Sequence, residues 1–448
     1  MTDAAVAPKR ETLWRHRDFL LLWSGQTVSE MGSAVTQLAL PLTAVVLLKA
    51  STFQVGLLTS AATLAFALIA LPAGALVDRR SKRGVMIACD AARLLIIASV
   101  PVAWAAGVLG MAQLYAVAIA AGVCTVFFDV SYQSYLPALL RQEHLMDGNG
   151  KLGASQAFAQ LVGPGLGGGL VGAFGAAGAM TADALSYAVS VASLLGIRHR
   201  ESREAPPAGT GARDGAAPRP SLRADIAEGL KFVTGHPILR KVVACTGTSN
   251  LFSSMALAVE IIFLVRVLRV PPAYTGLVFA GSAIGGVAGG VLSGRLAKRI
   301  GSARVIWYSI LVLGAPGIVA AFAWPGWGAV LVTLGGGCFL FAGVVYNVAQ
   351  VSYRQSVTPP YLMGRMNAAV RWIVWGTMPL GGVLGGALGT AVGVRPTFAI
   401  GLIGSWAAGF WVYFSPLRRM RDIPSPRPAE PAEPANPGEP SADPATSA

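Results

Sequence analysis

The sequence predicts an all-α membrane protein with twelve transmembrane helices in two pseudo-symmetric six-helix halves. Three observations carry this expectation. Hydrophobic residues fill 54% of the 448 positions and charged residues only 12%, against about 25% charged in an ordinary soluble domain. The apolar residues stand in long blocks rather than in the one-sided stripe of a soluble helix. Residues of the first half also recur at matching places in the second. Together these exclude a soluble enzyme, a disordered chain and a disulfide-stapled secreted domain.

A helix that crosses a bilayer needs about 20 mostly apolar residues. Six such blocks come first, at 19–48, 55–77, 85–106, 111–135, 152–174 and 177–197. The first is longer than a crossing requires and is expected to tilt or to project from the membrane. A polar segment, 198–240, follows. Its first part contains Pro206-Pro207-Ala208-Gly209 and Pro218-Arg219-Pro220 and reads as flexible. Its second part, 221–234, places Leu222, Ile226, Leu230 and Phe232/Val233 at near-helical spacing between charges. That spacing predicts a short amphipathic helix on the inner membrane face. Six further blocks lie at 242–265, 275–296, 305–323, 329–351, 366–392 and 397–413. The chain thus divides into an N-terminus (1–17), one half (18–197), a linker (198–240), the other half (241–417) and a tail (418–448). The tail is Pro/Ala/Glu-rich from 423 and is expected to be disordered. The 54 glycines suit close helix approach in a membrane better than helices in water.

The basic residues set the orientation. With the N-terminus inside, 30 of the 35 Lys and Arg fall on the inner side, 4 (Lys49, Arg266, Arg269, Arg395) fall outside, and Arg93 lies within a block. The positive-inside rule then places both termini in the cytoplasm of a multi-pass protein of the bacterial inner membrane. It also accounts for the net charge of +14, which is dispersed over short segments rather than gathered as a nucleic-acid surface. Residues 1–9 are polar and the first block is too long for a cleavable signal. Cys89, Cys124, Cys245 and Cys338 sit inside blocks without metal-like spacing and read as small apolar residues. His16, His144, His199 and His236 fall in inner-side loops and read as solvated, so no metal or cofactor is expected.

The halves repeat at two nearly equal offsets. At 218, Ser134, Tyr135, Asn149, Gly163, Gly167 and Gly168 fall on Ser352, Tyr353, Asn367, Gly381, Gly385 and Gly386. At 220, Gly56, Leu57, Gly74, Leu76 and Arg79 fall on Gly276, Leu277, Gly294, Leu296 and Arg299. A parallel repeat of six-helix units points to a secondary transporter with its site between the halves near the midplane.

Between the second and third blocks stands Gly74-Ala-Leu-Val-Asp78-Arg79-Arg80-Ser81-Lys82-Arg83. It resembles the cytoplasmic loop signature of the major facilitator superfamily, with Ser81 for the second Gly and Lys82 for one Arg. The resemblance implies that Asp78 pairs with basic groups and latches the halves; the plain alternative is a positive-inside turn. The second copy, Gly294-Arg-Leu-Ala-Lys298-Arg299, has Lys298 where the Asp should stand. The fifth block carries Gly150, Ala159, Gly163, Pro164, Gly167 and Gly168, which resembles the antiporter signature of the drug:proton branch, with Ala159 replacing one Gly. Ordinary small-residue packing is the alternative. The literal Gly-x-Gly-x-x-Gly at Gly163 is no dinucleotide site, since no strand precedes it. Further segments widen the resemblance: Phe127-Phe128-Asp129, Ser134-Tyr135-Leu136-Pro137, Gly148-Asn149, Asp183-Ala-Leu-Ser-Tyr, Asp90-Ala-Ala-Arg93 and Gly364-Arg365-Met366. Over about 14–417 the chain is similar to the enterobactin-exporter and macrolide-efflux branch of that superfamily. This implies alternating access and export of a small molecule by a monomer.

Ionisable residues inside a crossing are costly and are candidates for function. Glu30 lies near the centre of the first block. A neutral carboxyl is cheaper there than a charged one, which suits a proton carrier; a bond to a neighbouring Ser or Thr is the alternative. Asp129 and Asp183 are expected to bind protons or a cation, or to hold helix contacts. Asp90 and Arg93 share a helix face and are expected to pair with each other or with the Asp78 loop. Glu260 stands six before Arg266, as a gate pair or an interfacial group. Arg371 can snorkel or meet an acid of the other half. Trp372, Trp375, Tyr346 and Phe128 could line a drug cavity, with lipid-facing packing the alternative. The expectation is proton-driven export of a hydrophobic or amphipathic small molecule. A proton-coupled nutrient importer and a non-transporting receptor or scaffold are the other readings. No Gly-x₄-Gly-Lys-Ser/Thr nucleotide loop and no catalytic constellation is present, so the chain does not read as an enzyme.

Overall fold

The protein is described by a computed structural model over residues 13–77, 80–198, 222–359 and 362–423. Among these residues the structure is helical and has no strand. Helix α1 (Arg17–Leu42) continues through a π-turn, Thr43–Leu47. Helices α2 (Thr52–Val77), α3 (Lys82–Ala105) and α4 (Met111–Leu139) follow. The helical stretch Gln142–Gly196 breaks at Gly175 into α5 (142–174) and α6 (176–196). Unbroken, it would run about 80 Å, more than twice a hydrocarbon core. Helix α7 (Leu222–Gly235) precedes α8 (Leu239–Ile262), which also ends in a π-turn, Phe263–Val267. Then come α9 (Pro272–Ile300), the short α10 (Arg304–Tyr308), α11 (Gly328–Val357), α12 (Met363–Ala391) and α13 (Val394–Ala407), the last extended by Gly409–Tyr413. Among the described residues, ten helical stretches are long and apolar enough to cross a membrane, with 147–196 counted as one.

The sequence repeat is written into the backbone. His16 caps α1 by accepting the Phe19 N–H at 3.1 Å. His236, 220 positions on, caps α8 by accepting the N–H groups of Ile238 and Leu239 at 3.3 and 3.2 Å. Both imidazoles thus serve as backbone acceptors, His16 while exposed and His236 while half-buried. The two π-turns start 220 apart, and each is followed by a non-glycine in the left-handed region, Lys49 (φ 51°) and Arg269 (φ 59°). Each corner is closed by matching bonds, Ala50 N–H to Ala44 O and Val270 N–H to Leu264 O, both 2.9 Å. Gly175 (φ 73°) and Gly393 (φ 95°), 218 apart, reverse the chain in an extended positive-φ conformation open to glycine.

Two stretches depart from the expected elements. The ninth block is not one α-helix: α10 passes into a π-turn, Ser309–Leu313, and then a 3₁₀ run, Ala315–Phe322. Pro316 and its flanking glycines interrupt the ladder, and Trp406 Nε1 donates to the freed Leu311 carbonyl at 2.9 Å. The start of the tail is also folded. Ala303 N–H donates to Arg421 O at 3.0 Å, and Ser302 N–H to Asp422 at 3.0 Å. Residues 199–221 of the linker and 424–448 of the tail, with the expectations placed on them, lie outside the described residues.

The basic loops lie at one end of the bundle, here the basic end. Helix α7 docks there on the start of α12: Glu228 pairs with Arg365, and Gly229 sits against the Arg365 carbonyl too closely for any side chain. The halves meet toward the opposite end through two glycine contacts. A Cβ on Gly56 of α2 would lie 2.5 Å from Gly386 Cα of α12. A Cβ on Gly168 of α5 would lie 2.5 Å from the Ala273 carbonyl and 3.1 Å from Gly276 Cα of α9. Gly56 and Gly276 are repeat mates, as are Gly168 and Gly386. One contact is therefore made twice, with the halves exchanged. Ser60 adds a hydrogen bond to the Pro379 carbonyl at 2.7 Å, and Arg266 reaches across to Val45 O and Ala50 O at 3.2 and 2.8 Å.

Candidate functional site: a polar cluster within the first half

Four helices of the first half bring their polar residues together. On α3, Asp90 and Arg93 are one turn apart and form an ion pair, both essentially removed from solvent. Asp90 also accepts a hydrogen bond from Ser190 of α6 at 2.5 Å. The Arg93 guanidinium lies over Phe128 of α4 at 4.6 Å and over Tyr187 of α6 at 4.5 Å. Tyr187 is held in turn by Ser33 of α1, 2.9 Å between hydroxyls. A buried cation thus has a carboxylate partner and two aromatic faces, which offset its desolvation. Among the described residues its Nε has no hydrogen-bond acceptor. Of the two expected pairings, the structure forms the mutual one; Asp78 and Arg79 lie outside the described residues.

Three carboxyls surround this cation within electrostatic reach, Glu30, Asp129 and Asp183. Glu30 accepts from Gln26 Nε2 at 3.0 Å, one turn earlier on α1, not from a Ser or Thr. Asp183 is 1% exposed and accepts from Ser186 Oγ at 3.2 Å. Thr36 of α1 lies against this carboxyl as well. Gly32 lets α1 pass this close: a Cβ there would be 2.6 Å from the Asp183 carboxyl. Asp129 is half-buried, and no hydrogen bond holds it among the described residues. Of the three, it alone feels the charge of Arg371 on α12 of the other half.

Arg371 is exposed and lies over Trp375 at 5.4 Å, and Trp375 meets Phe66 of α2 at 5.1 Å. Trp372 is 55% exposed. The other two aromatic candidates do not line an opening. Phe128 is buried under Arg93, and Tyr346 is buried in the second half with its hydroxyl on Thr246 at 2.8 Å. Glu260 and Arg266 do not pair among the described residues; Arg266 turns to the first half instead.

The two signature motifs divide by what they touch. Gly163 packs on Ala34 and Gly167 on Val35 and Leu38 of α1, while Pro164 and Gly168 meet Gly276 of α9. Gly150 faces open space. In the loop signature, Arg83 donates to the Leu194 and Leu195 carbonyls at the end of α6, both at 2.9 Å. Ser81, standing where the signature has Gly, caps α3 by accepting Gly84 N–H at 3.2 Å. Gly74 lies in α2 and Lys82 opens α3. Sequence reasoning passed over Gln26, Ser33, Tyr187 and Ser190. A signal was present: Asp183, Ser186, Tyr187 and Ser190 follow an i, i+3, i+4, i+7 stripe. In an apolar crossing such a stripe marks the face turned from lipid.

A family model described as a transmembrane secretion effector matches residues 5–435. The chain is 25% identical over 416 residues to the multidrug efflux pump Tap of Mycolicibacterium fortuitum, covering 91% of this chain and 97% of that protein. It is 28% identical over 393 residues to the multidrug efflux pump Tap of Mycobacterium tuberculosis, with 85% and 88% covered. Among solved structures, a bacterial homologue of the iron transporter ferroportin in an inward-facing state superposes with a TM-score of 0.70 at 15% identity, over 90% of this chain and 98% of that one. The nucleoside transporter NupG superposes with a TM-score of 0.67 at 14% identity, over 88% and 97%. These structures share the fold.

Proposed function

The chain belongs to the transmembrane secretion effector family of major facilitator transporters, and from that premise we propose that it exports a hydrophobic or amphipathic small molecule, driven by inward proton flow. The relatives' name as multidrug efflux pumps supports export and a small-molecule substrate. We read twelve crossings: the two arms around Gly175 count separately, and 394–413 is added to the other long helices. The basic loops then face the cytoplasm of a bacterial cell, with both termini inside. The glycine contacts close the outer end, so the chain is read as inward-facing, acting as a monomer.

The observation that carries this reading is the group of ionisable side chains held inside the first half, with Asp90, Arg93 and Asp183 buried and Glu30 and Asp129 half-buried. A scaffold has little reason to keep opposed charges inside a membrane. In the proposed cycle, Glu30 and Asp129 take protons while the cleft faces outward. They release them inward beside Arg93, whose fixed positive charge favours the deprotonated carboxylates. Trp372 and Trp375 offer apolar contact to substrate, and Arg371 an anchoring charge. Asp183, buried on α6 beside Thr36 and Ser186, completes the group.

The test is dye and drug accumulation in efflux-deficient bacteria expressing the chain, with and without a protonophore. The expected result is lower accumulation that the protonophore restores. Accumulation that falls equally with the protonophore present would rule out proton drive, and a rise on expression would point to import.

A further inference from the structure

A second site lies at the basic end of the second half, away from the polar cluster. A cleft of about 450 Å³ is lined by Arg299 and Ile300 at the end of α9, Arg304, Trp307 and Tyr308 of α10, and Tyr413 and Arg418 beyond α13. Its wall is built: the loop 301–303 is clipped to the incoming tail by Ala303 N–H to Arg421 O at 3.0 Å and Ile423 N–H to Ser302 Oγ at 2.9 Å. This clip brings Arg418 beside arginines some 115 residues earlier in the chain.

Three guanidiniums thus line one cleft, all exposed, and among the described residues none has an ion pair. Arginines elsewhere at this end do find acids, as Arg365 finds Glu228. Asp422, on the tail segment that closes the cleft, accepts from Ser302 and lies 3.9 Å from Arg421. Gathering like charges without a counter-charge is unfavourable, and a bound anion relieves it. Arginine forks suit phosphate oxygens in particular.

The rim identifies the source of the phosphate. Trp307 and Tyr413 meet edge to face at 5.3 Å, and Arg418 lies over Tyr413 at 4.7 Å. Trp and Tyr of this kind mark headgroup depth. Next to Tyr413, Phe414 and Phe410 are 70% and 38% exposed and face the lipid side as an apolar surface. A ligand with a phosphate and acyl chains matches both parts; a free phosphate matches only the first. We infer that this cleft is a binding site for the headgroup of an anionic phospholipid, held by Arg299, Arg304 and Arg418, with its chains along Phe410 and Phe414.

The test is native mass spectrometry of the delipidated full chain in detergent. The probes are phosphatidylglycerol, diphosphatidylglycerol, phosphatidylcholine of the same chains, and inorganic phosphate. Anionic lipid is expected to bind at least ten-fold tighter than phosphatidylcholine, and Arg418→Gln to weaken it about five-fold. Arg299→Gln, Arg304→Gln and Arg418→Gln together are expected to weaken it about a hundred-fold. A control with the same charge loss at exposed positions elsewhere, Arg141→Gln, Lys231→Gln and Arg240→Gln, is expected to bind like wild type. The inference fails if the control loses as much as the triple variant, or if phosphatidylcholine binds equally. It also fails if millimolar inorganic phosphate displaces the lipid, which would mark a free-anion site. Should the triple variant not fold, the single Arg418→Gln decides. Lipid binding and drug export are read separately, so either can fail alone.

Discussion

Asp90 and Arg93 show what a charge requires in the interior of this protein: a partner, a further hydrogen bond from Ser190, and aromatic faces. Removing one member strands the other. Arg93→Ala is expected to cost about 3–5 kcal/mol. Asp90→Asn with Arg93→Met, which removes both charges, should melt closer to wild type than Arg93→Ala alone; equal melting of the two variants would mean the pair is not a structural unit. Glu30 and Asp129 differ because their carboxyls are less tied. Glu30→Gln and Asp129→Asn should each keep the fold and abolish protonophore-sensitive efflux, measured by dye accumulation, and undiminished efflux in both would remove them from the proton path. His236 carries a pH effect outside the crossings. Burial pushes its pKa below the usual 6.5, so the folded chain favours the neutral imidazole that caps α8. The resulting stability is complete above about pH 6.5 and is lost as the pH falls through the depressed value. His236→Asn keeps an acceptor without titrating, and its melting temperature should fall less between pH 7.5 and pH 5.5 than that of wild type.

At the scale of elements, glycine decides where helices cross. Gly56 and Gly276 serve the same contact in the two halves, and any side chain at Gly276 would run into the Pro164 carbonyl. Gly276→Val should therefore part α5 from α9 at the opposite end while leaving each half folded. The expected readout is a loss of efflux of more than about ten-fold at near-normal melting temperature. Gly175 works differently, through backbone conformation at φ 73° and ψ 167°. Gly175→Ala should lower stability by about 1–3 kcal/mol, read as a drop in melting temperature. The helical blocks themselves were legible, because hydrocarbon length and backbone satisfaction leave few alternatives. The breakdown of the ninth block into α, π and 3₁₀ turns was not, since mean apolarity carries no record of where a carbonyl is diverted to Trp406.

For the whole molecule, the symmetry is close in the backbone and broken in the charges. The first half holds Glu30, Asp90, Arg93, Asp129 and Asp183 in its interior, and the second answers with Glu260 and Arg371. The Arg266 bridge is likewise one-sided, because its repeat mate is Val46. It caps carbonyls left free where α1 ends, a position that favours a cation. Arg266→Gln should loosen the opposite end of the bundle by about ten-fold in accessibility, the worth of roughly 1.5 kcal/mol. Labelling of a cysteine placed at Ser60 with a membrane-impermeant maleimide measures this, and unchanged labelling would show that the bridge does not hold that end shut.

The sequence alone determined that the chain is a helical membrane protein, which segments are apolar enough to cross, that its halves are related, and which charges are costly. Those properties follow from composition, length and spacing along one chain. The tertiary structure decided the rest. It decided that Arg93 sits between Phe128 and Tyr187, that Glu260 and Arg266 stay apart, that Gly56 meets Gly386, and that Arg418 joins Arg299 and Arg304. The physical reason is that side-chain partners in a packed bundle are chosen by which helix faces meet. In a glycine-rich membrane protein that choice depends on sub-ångström backbone fit between distant segments, which no local pattern encodes.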